Sequence, residues 1–180
     1  VNRRQPTVVL AAALSVGLVA LAGIGCAHQQ ERGISHCAAT HFPTPYAETD
    51  PCSPHAVLTA AATAIFTYRP DHQRDTATAF LAAAPLIATD YLHQIGASAT
   101  AMAPITAATW ARWSSLHITV TATVRITEDD HPTDTSTRIR RVIAVTQRPG
   151  DEAPRELTAY LQVARDSADK PWLVTDLEVR

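Results

Sequence analysis

Glycine is scarce in this 180-residue chain: of six, only Gly33, Gly96 and Gly150 lie beyond residue 27. A phosphate-cradling loop or a dinucleotide fingerprint needs several glycines within a few positions, so that backbone amides can approach the phosphates without an intervening Cβ. Neither can be built here. No Gly-x-Ser-x-Gly turn occurs, which excludes the hydrolases that carry their serine on that elbow. Aromatic residues make up only 6% of the chain, so a core must come mainly from Ala, Val, Ile and Leu. Lysine is nearly missing. Lys170 stands alone and the other basic residues are arginine, a bias that with abundant Ala and Thr suggests a GC-rich bacterial genome. A formal charge of −2, with no run of five or six like charges, gives no electrostatic reason to expect a nucleic-acid partner. The three cysteines, Cys26, Cys37 and Cys52, all precede the periodic part of the chain, a poor place for a preorganised nucleophile.

What the chain does have is a long apolar run at its start. Arg3 and Arg4 precede an uncharged stretch from Thr7 to Ala27, and the next charges are Glu31 and Arg32. About 20 residues at 1.5 Å rise span ~30 Å, the hydrocarbon thickness of a bilayer. Basic residues before the run and no basic cluster just after it predict a cytoplasmic N-terminus with the remainder outside. Residues 1–27 are therefore expected to be a membrane anchor or a signal segment. Gly25-Cys26 resembles the box of a bacterial lipoprotein signal, which makes Cys26 a candidate for lipidation; Gly23 departs from that pattern, where an aliphatic residue belongs. A retained helix, a lipidated Cys26 and simple cleavage all place the rest of the chain beyond the cytoplasm.

Residues 28–53 lack apolar periodicity and carry Pro43, Pro45 and Pro51, which predicts an extracytoplasmic linker. Cys37 and Cys52 lie in it and are candidates for a disulfide, since a compartment outside the cytoplasm permits one. Closing a loop of that size stabilises by roughly 3 kcal/mol in the chain-entropy description. His36, Cys37, His41, Cys52 and His55 are also suitable ligand types for a metal, but their spacing matches no zinc motif, and no metal is expected.

From residue 54 the pattern becomes that of a folded domain, residues 54–180. Ser53-Pro54 supplies a capping hydroxyl and a proline at the first helical position. Val57, Leu58, Ala61, Ala62, Ile65 and Phe66 then recur at helical spacing, and Arg69-Pro70-Asp71 closes the helix. A second helix is expected from Thr76, with Phe80, Leu81 and Ala84; Pro85 either interrupts it or starts a third, with Ile87, Tyr91, Leu92 and Ile95, stopping at Gly96. Residues 97–109 read as loop or frayed helix. From Leu116 the period becomes two: Leu116, Ile118, Val120, Ala122, Val124 and Ile126 alternate with polar residues through Thr127. Further strands are expected at about Arg138–Gln147, around Leu157–Val163, and at Trp172–Val179. In the last, Trp172 and Val174 share one parity and Leu177 and Val179 the other, which predicts a β-bulge near Thr175-Asp176. Short connections between consecutive strands predict an antiparallel meander, and helices before strands predict an α+β layer.

Two or three helices followed by a four-stranded meander, ending in "PWLVTDLEV", resemble the nuclear transport factor 2-like (cystatin-like) superfamily, in which helices pack on a curved sheet. Trp172 and Val174 match its aromatic-x-aliphatic final strand. With one N-terminal membrane helix added, the layout is similar to the bitopic subunits of type IV secretion and conjugation machines. It is also similar to actinobacterial membrane proteins associated with the mammalian-cell-entry lipid transporters. The resemblance implies a non-enzymatic scaffold or assembly part with protein partners in the envelope or self-association, and no cofactor. Enzymes of neighbouring families place an acid or a tyrosine in the cone between sheet and helices, and no motif here assigns Asp90, Tyr91 or Asp176 to that role. A small-ligand or isomerase-like pocket protein and an envelope lipoprotein remain as alternatives.

No catalytic residue is assigned. The candidate pocket residues are Asp90 and Tyr91, on the third helix, with Trp110 and Trp113, whose spacing of three would put both on one helical face. His117 and His131 are expected to be solvated, and Arg138, Arg140 and Arg141 to form a solvated, partly paired strand face.

Overall fold

The computed structural model describes residues 37–180, apart from Pro104. The apolar run at 7–27, Cys26 and His36 lie outside the described residues. Among those described, no helix is long and apolar enough to cross a membrane.

The first helix, α1 (Pro54–Phe66), starts as expected: the Ser53 hydroxyl accepts from the Ala56 amide at 3.2 Å, and Pro54 needs no partner for the N–H it lacks. Its six apolar stripe residues, Val57 to Phe66, are all buried. The helix ends at Phe66, short of Pro70, because Thr67 turns to an extended conformation and Tyr68 pairs in both directions with Val120 at 2.9 Å. The next helix, α2 (Thr76–Leu81), is capped by Asp75, whose carboxylate accepts from both the amide and the hydroxyl of Thr78 at 2.8 Å. A 3-10 turn at Ala84–Leu86 leads to α3 (Thr89–Ile95).

The helix α3 ends at Ile95, before Gly96, as expected, but the chain continues in a tighter helix. A 3-10 segment, Gly96–Met102, follows within the stretch 97–109 expected to be loop or frayed helix, and α4 (Ala107–Ser115) begins at the end of that stretch. Thr106 caps α4 by accepting from the Thr109 amide at 3.1 Å. The helix closes with two bonds: His117 N–H to the Ser114 carbonyl at 3.2 Å, and Ile118 N–H to the Trp113 carbonyl at 2.8 Å. That pairing requires a left-handed residue, and His117 takes it with φ 53°. Leu116 and Ile118 thus belong to a helix end, and the strand expected from Leu116 begins at Val120.

Four strands follow: β1 (Val120–Ile126), β2 (Arg138–Pro149), β3 (Arg155–Ala164) and β4 (Leu173–Val179). They form one open antiparallel sheet in the order β1-β2-β3-β4, so the domain is an α+β meander. The bulge lies where parity required it: Gln162 pairs with Asp176 and Val163 with Val174, leaving Thr175 as the extra residue. Without it, Val174 and Leu177 could not both face the core, and both are buried.

The helix α1 spans the sheet and touches all four strands. Its stripe meets the inner side chains of β2 and β3, including Ile143, Val145, Leu161 and Val163, in one apolar core with Phe80, Leu86, Trp172 and Val174. A second cluster joins Tyr68, Ala79, Trp110, Trp113 and Val120 at the β1 edge.

Residues 37–53, expected to belong to a linker, are packed on this domain. Phe42 is buried in the main core, Tyr46 donates to the Ala82 carbonyl at 2.7 Å, and the Pro51 carbonyl accepts from the Trp172 amide at 2.9 Å. Cys37 and Cys52 are joined in a disulfide that closes this segment on itself.

Candidate functional site

The disulfide decides the first of the candidate sites. Both sulfurs are used in the bond, so the set His36, Cys37, His41, Cys52 and His55 loses its two thiolates. His41 and His55 are exposed, and no group of three His, Cys, Asp or Glu residues able to hold a metal occurs among the described residues.

The four pocket candidates fall in two separate places. Tyr91 packs against β4, where its hydroxyl accepts from the Leu177 amide at 2.8 Å, and burial pushes its pKa up to about 12 against the opposing effect of that bond. Asp90, beside it, is exposed on the first turn of α3. Trp110 and Trp113 share the buried face of α4, as their spacing predicted, far along the fold from Tyr91. Trp110 packs at 5.5 Å against Tyr68 with the rings tilted by 57°, and donates its indole N–H to the Gln73 carbonyl at 3.2 Å. Trp113 donates to Glu152 at 3.2 Å, and Arg112 grips the same carboxylate with two bonds of 2.6 and 2.8 Å. That arginine holds the Glu152 carboxyl below the usual carboxylate range. The two indoles therefore fasten α4 to the segment after α1 and to the β2–β3 turn.

Outside Trp110 lies an open groove of about 670 Å³ between α4 and residues 70–76, lined by Pro70, Gln73, Ile105, Thr106, Trp110 and Ser114 among others. The space between α1 and the sheet, by contrast, is occupied: Leu58, Phe66, Phe80, Leu86, Ile143 and Leu161 are all fully buried there. One polar side chain sits among them. Gln147, on β2, donates to the Phe66 carbonyl at 2.8 Å, while its Oε1 has no hydrogen-bond partner. The Tyr68 hydroxyl faces this amide, and burial, opposed by Gln147 and by Arg155, raises its pKa to about 12.

The three arginines at the start of β2, Arg138, Arg140 and Arg141, have three fates. Arg140 points outward and pairs at 3.6 Å with Asp176 and with Glu178. Arg141 points inward with Ile139 and Ile143, is 8% exposed, and meets Asp134 of the β1–β2 loop in a two-point ion pair. His131 stands 3.2 Å from the same guanidinium. The solvated face expected for Arg141 is thus corrected. The signal for this was present: Arg141 has the parity of Ile139, Ile143 and Val145.

Arg138 is exposed at the start of β2 and belongs to a third constellation, which sequence reasoning did not assemble. A groove of about 300 Å³ at the end of the sheet is lined by Arg138, Arg165, Lys170, Asp166, Thr137 and Thr175 among others. Arg165 lies 4.4 Å above the Trp172 ring and donates to the Ser136 and Ala168 carbonyls at 2.8 and 2.9 Å. These cations come from three positions spread over 33 residues, and only the strand register brings them together.

The chain matches no protein-family model, no curated protein and no solved structure, so its α+β meander is the level at which it is assigned.

Proposed function

We propose that this chain is a non-enzymatic, membrane-tethered extracytoplasmic scaffold or assembly protein of a bacterial transport or conjugation system, with a nuclear transport factor 2-like domain. The observation that carries this reading is the interior between α1 and the sheet. In the ligand-binding relatives that the sequence resembles, that space would be a pocket; here Phe66, Phe80, Leu86, Ile143 and Leu161 fill it. The Tyr91 hydroxyl is engaged by a backbone amide and Asp90 faces solvent, so neither is poised in an enclosed site. The disulfide between Cys37 and Cys52 supports a compartment outside the reducing cytoplasm. The apolar run at 7–27 supports attachment to a membrane.

Crosslinking in intact cells, followed by mass spectrometry of the adducts, tests the scaffold role. Discrete adducts to envelope proteins, or to further copies of the chain, are expected. Their absence, together with a monomer in sedimentation of the purified protein, would overturn it. Mass spectrometry of the mature N-terminus tests the attachment: an intact apolar segment or a lipidated Cys26 supports it, and a protein released from membranes without either removes it.

A second reading, a binder of small molecules, is favoured by one feature, the open groove beside Trp110. An indole floor with polar rims suits a flat, partly polar ligand. Quenching of tryptophan fluorescence by such ligands, lost in Trp110→Leu, is its test.

A further inference from the structure

The groove at the end of the sheet combines a net positive charge with fixed geometry. Its lining holds three cations, Arg138, Arg165 and Lys170, against one carboxylate, Asp166. Arg138 makes no side-chain hydrogen bond or ion pair among the described residues, although its backbone is pinned by the Thr135 hydroxyl at 2.8 Å. Lys170 has only a loose approach to Asp169, at 3.9 Å. Arg165 is oriented by two carbonyls and the face of Trp172, which are neutral, and its charge is felt by Asp169 without an ion pair between them. The neighbouring hydroxyl is also prepared. Thr175 is the bulged residue of β4, turned out of the regular ladder, and its Oγ1 accepts from Gln162 at 3.1 Å, which leaves its own hydrogen to donate.

We propose that this groove binds a phosphate group. Three cations against Asp166 in the lining and Asp169 beside Lys170 leave one positive charge, which a singly charged phosphate balances, and a planar guanidinium with adjacent hydroxyls suits its oxygens. The two sources of such a group are a soluble phosphorylated compound and the headgroup of an anionic lipid. The fold favours the second where the chain is anchored through its N-terminal segment, a step that rests on the function proposed above. The N-terminal end of the described residues lies beside this groove: the Ala38 amide donates to the Asp169 carbonyl at 3.2 Å, one residue from Lys170.

Lys170 is the only lysine of the chain, so its acylation by an amine-reactive ester reports this groove alone among side chains. The experiment uses the full chain in uncharged detergent, with Lys170 modification followed by mass spectrometry. Inorganic phosphate and glycerol 3-phosphate are the probes, each against sodium chloride at equal ionic strength. At a concentration ten times the dissociation constant, modification should slow about tenfold, because only the unoccupied fraction reacts. Arg138→Gln, an exposed position, should remove most of that protection without changing the unfolding temperature. A second arm places the full chain in nanodiscs of phosphatidylcholine alone or with phosphatidylglycerol. Protection by both soluble phosphate and phosphatidylglycerol supports a lipid headgroup as the source. Protection by soluble phosphate alone supports a soluble ligand. Protection that sodium chloride reproduces, protection that survives Arg138→Gln, or protection by lipid without any by phosphate overturns the site. The soluble arm does not depend on the tether, so a failed phosphate site and a failed membrane attachment give different results.

Discussion

Arg141 and Asp134 meet at two points, Nη1 to Oδ1 at 2.7 Å and Nη2 to Oδ2 at 2.6 Å, with the guanidinium on the core-facing side of β2. The β1–β2 loop that carries Asp134 is thereby folded back over the sheet. His131, from the same loop, faces the pair from 3.2 Å, and His55, at the start of α1, adds a weaker positive influence on Asp134.

Removing the carboxylate should cost more than an ordinary surface ion pair. Asp134→Asn leaves a guanidinium that is 8% exposed without its counter-charge. Because the carboxylate itself is 40% exposed, we expect about 1–3 kcal/mol, below the cost of breaking a fully buried pair. Arg141 holds the Asp134 carboxyl below its usual range. A depressed folded pKa gives stability that is present above the unfolded value and lost as pH falls through the folded one. Urea unfolding at a series of acidic pH values should therefore show a steeper decline for the natural protein than for Asp134→Asn. Parallel declines would contradict it.

The opposite sign applies at alkaline pH. Tyr68 and Tyr91 are both raised to about 12, chiefly by burial. A raised folded pKa gives stability that is fully present below the unfolded value, about 10, and is lost as pH rises through the folded one. Unfolding between about pH 10 and 12 should accompany the rise of tyrosinate absorbance. In Tyr91→Phe the alkaline limb should be shallower, with a neutral-pH cost of roughly 1 kcal/mol for the lost bond to Leu177.

His117 carries backbone cost without packing in return. It is exposed, with φ 53°, at the left-handed position that closes α4. His117→Gly should stabilise by about 0.5–1 kcal/mol, read as a rise in thermal midpoint. An unchanged or lower midpoint would show that the side chain contributes more than its conformation costs.

Deleting Thr175 should be far worse than replacing it. The deletion moves Asp176–Val179 by one register step and turns Leu177, now 3% exposed, to the outer face. Loss of cooperative unfolding is expected for the deletion, whereas Thr175→Ala should retain it.

These positions also show what could be read beforehand. The Thr175 bulge was legible because Val174 and Leu177 have incompatible parities, and a strand's period of two admits only one remedy. The helix α1 was legible because cap, proline and stripe agree. Leu116 and Ile118 misled for a physical reason: the closing turn of α4 happens to continue the alternation of β1, and His117 stands where glycine would have marked the break. Residues 37–53 carry no periodicity, and their packing rests on single contacts by Phe42, Tyr46 and Pro51 that no pattern announces. The basic groove was invisible for a related reason. Arg138, Arg165 and Lys170 become neighbours only through the β2–β3 register, in which Arg138 pairs with Ala164.

The Cys37–Cys52 bond sets the route that mechanical load takes through this molecule. A pull on the chain ahead of Cys37 crosses the two sulfurs straight to Cys52, one residue before the cap of α1. Residues 38–51 are bypassed, so Phe42 and Tyr46 stay seated under tension. The force arrives instead on the first turn of α1, a helix packed against all four strands.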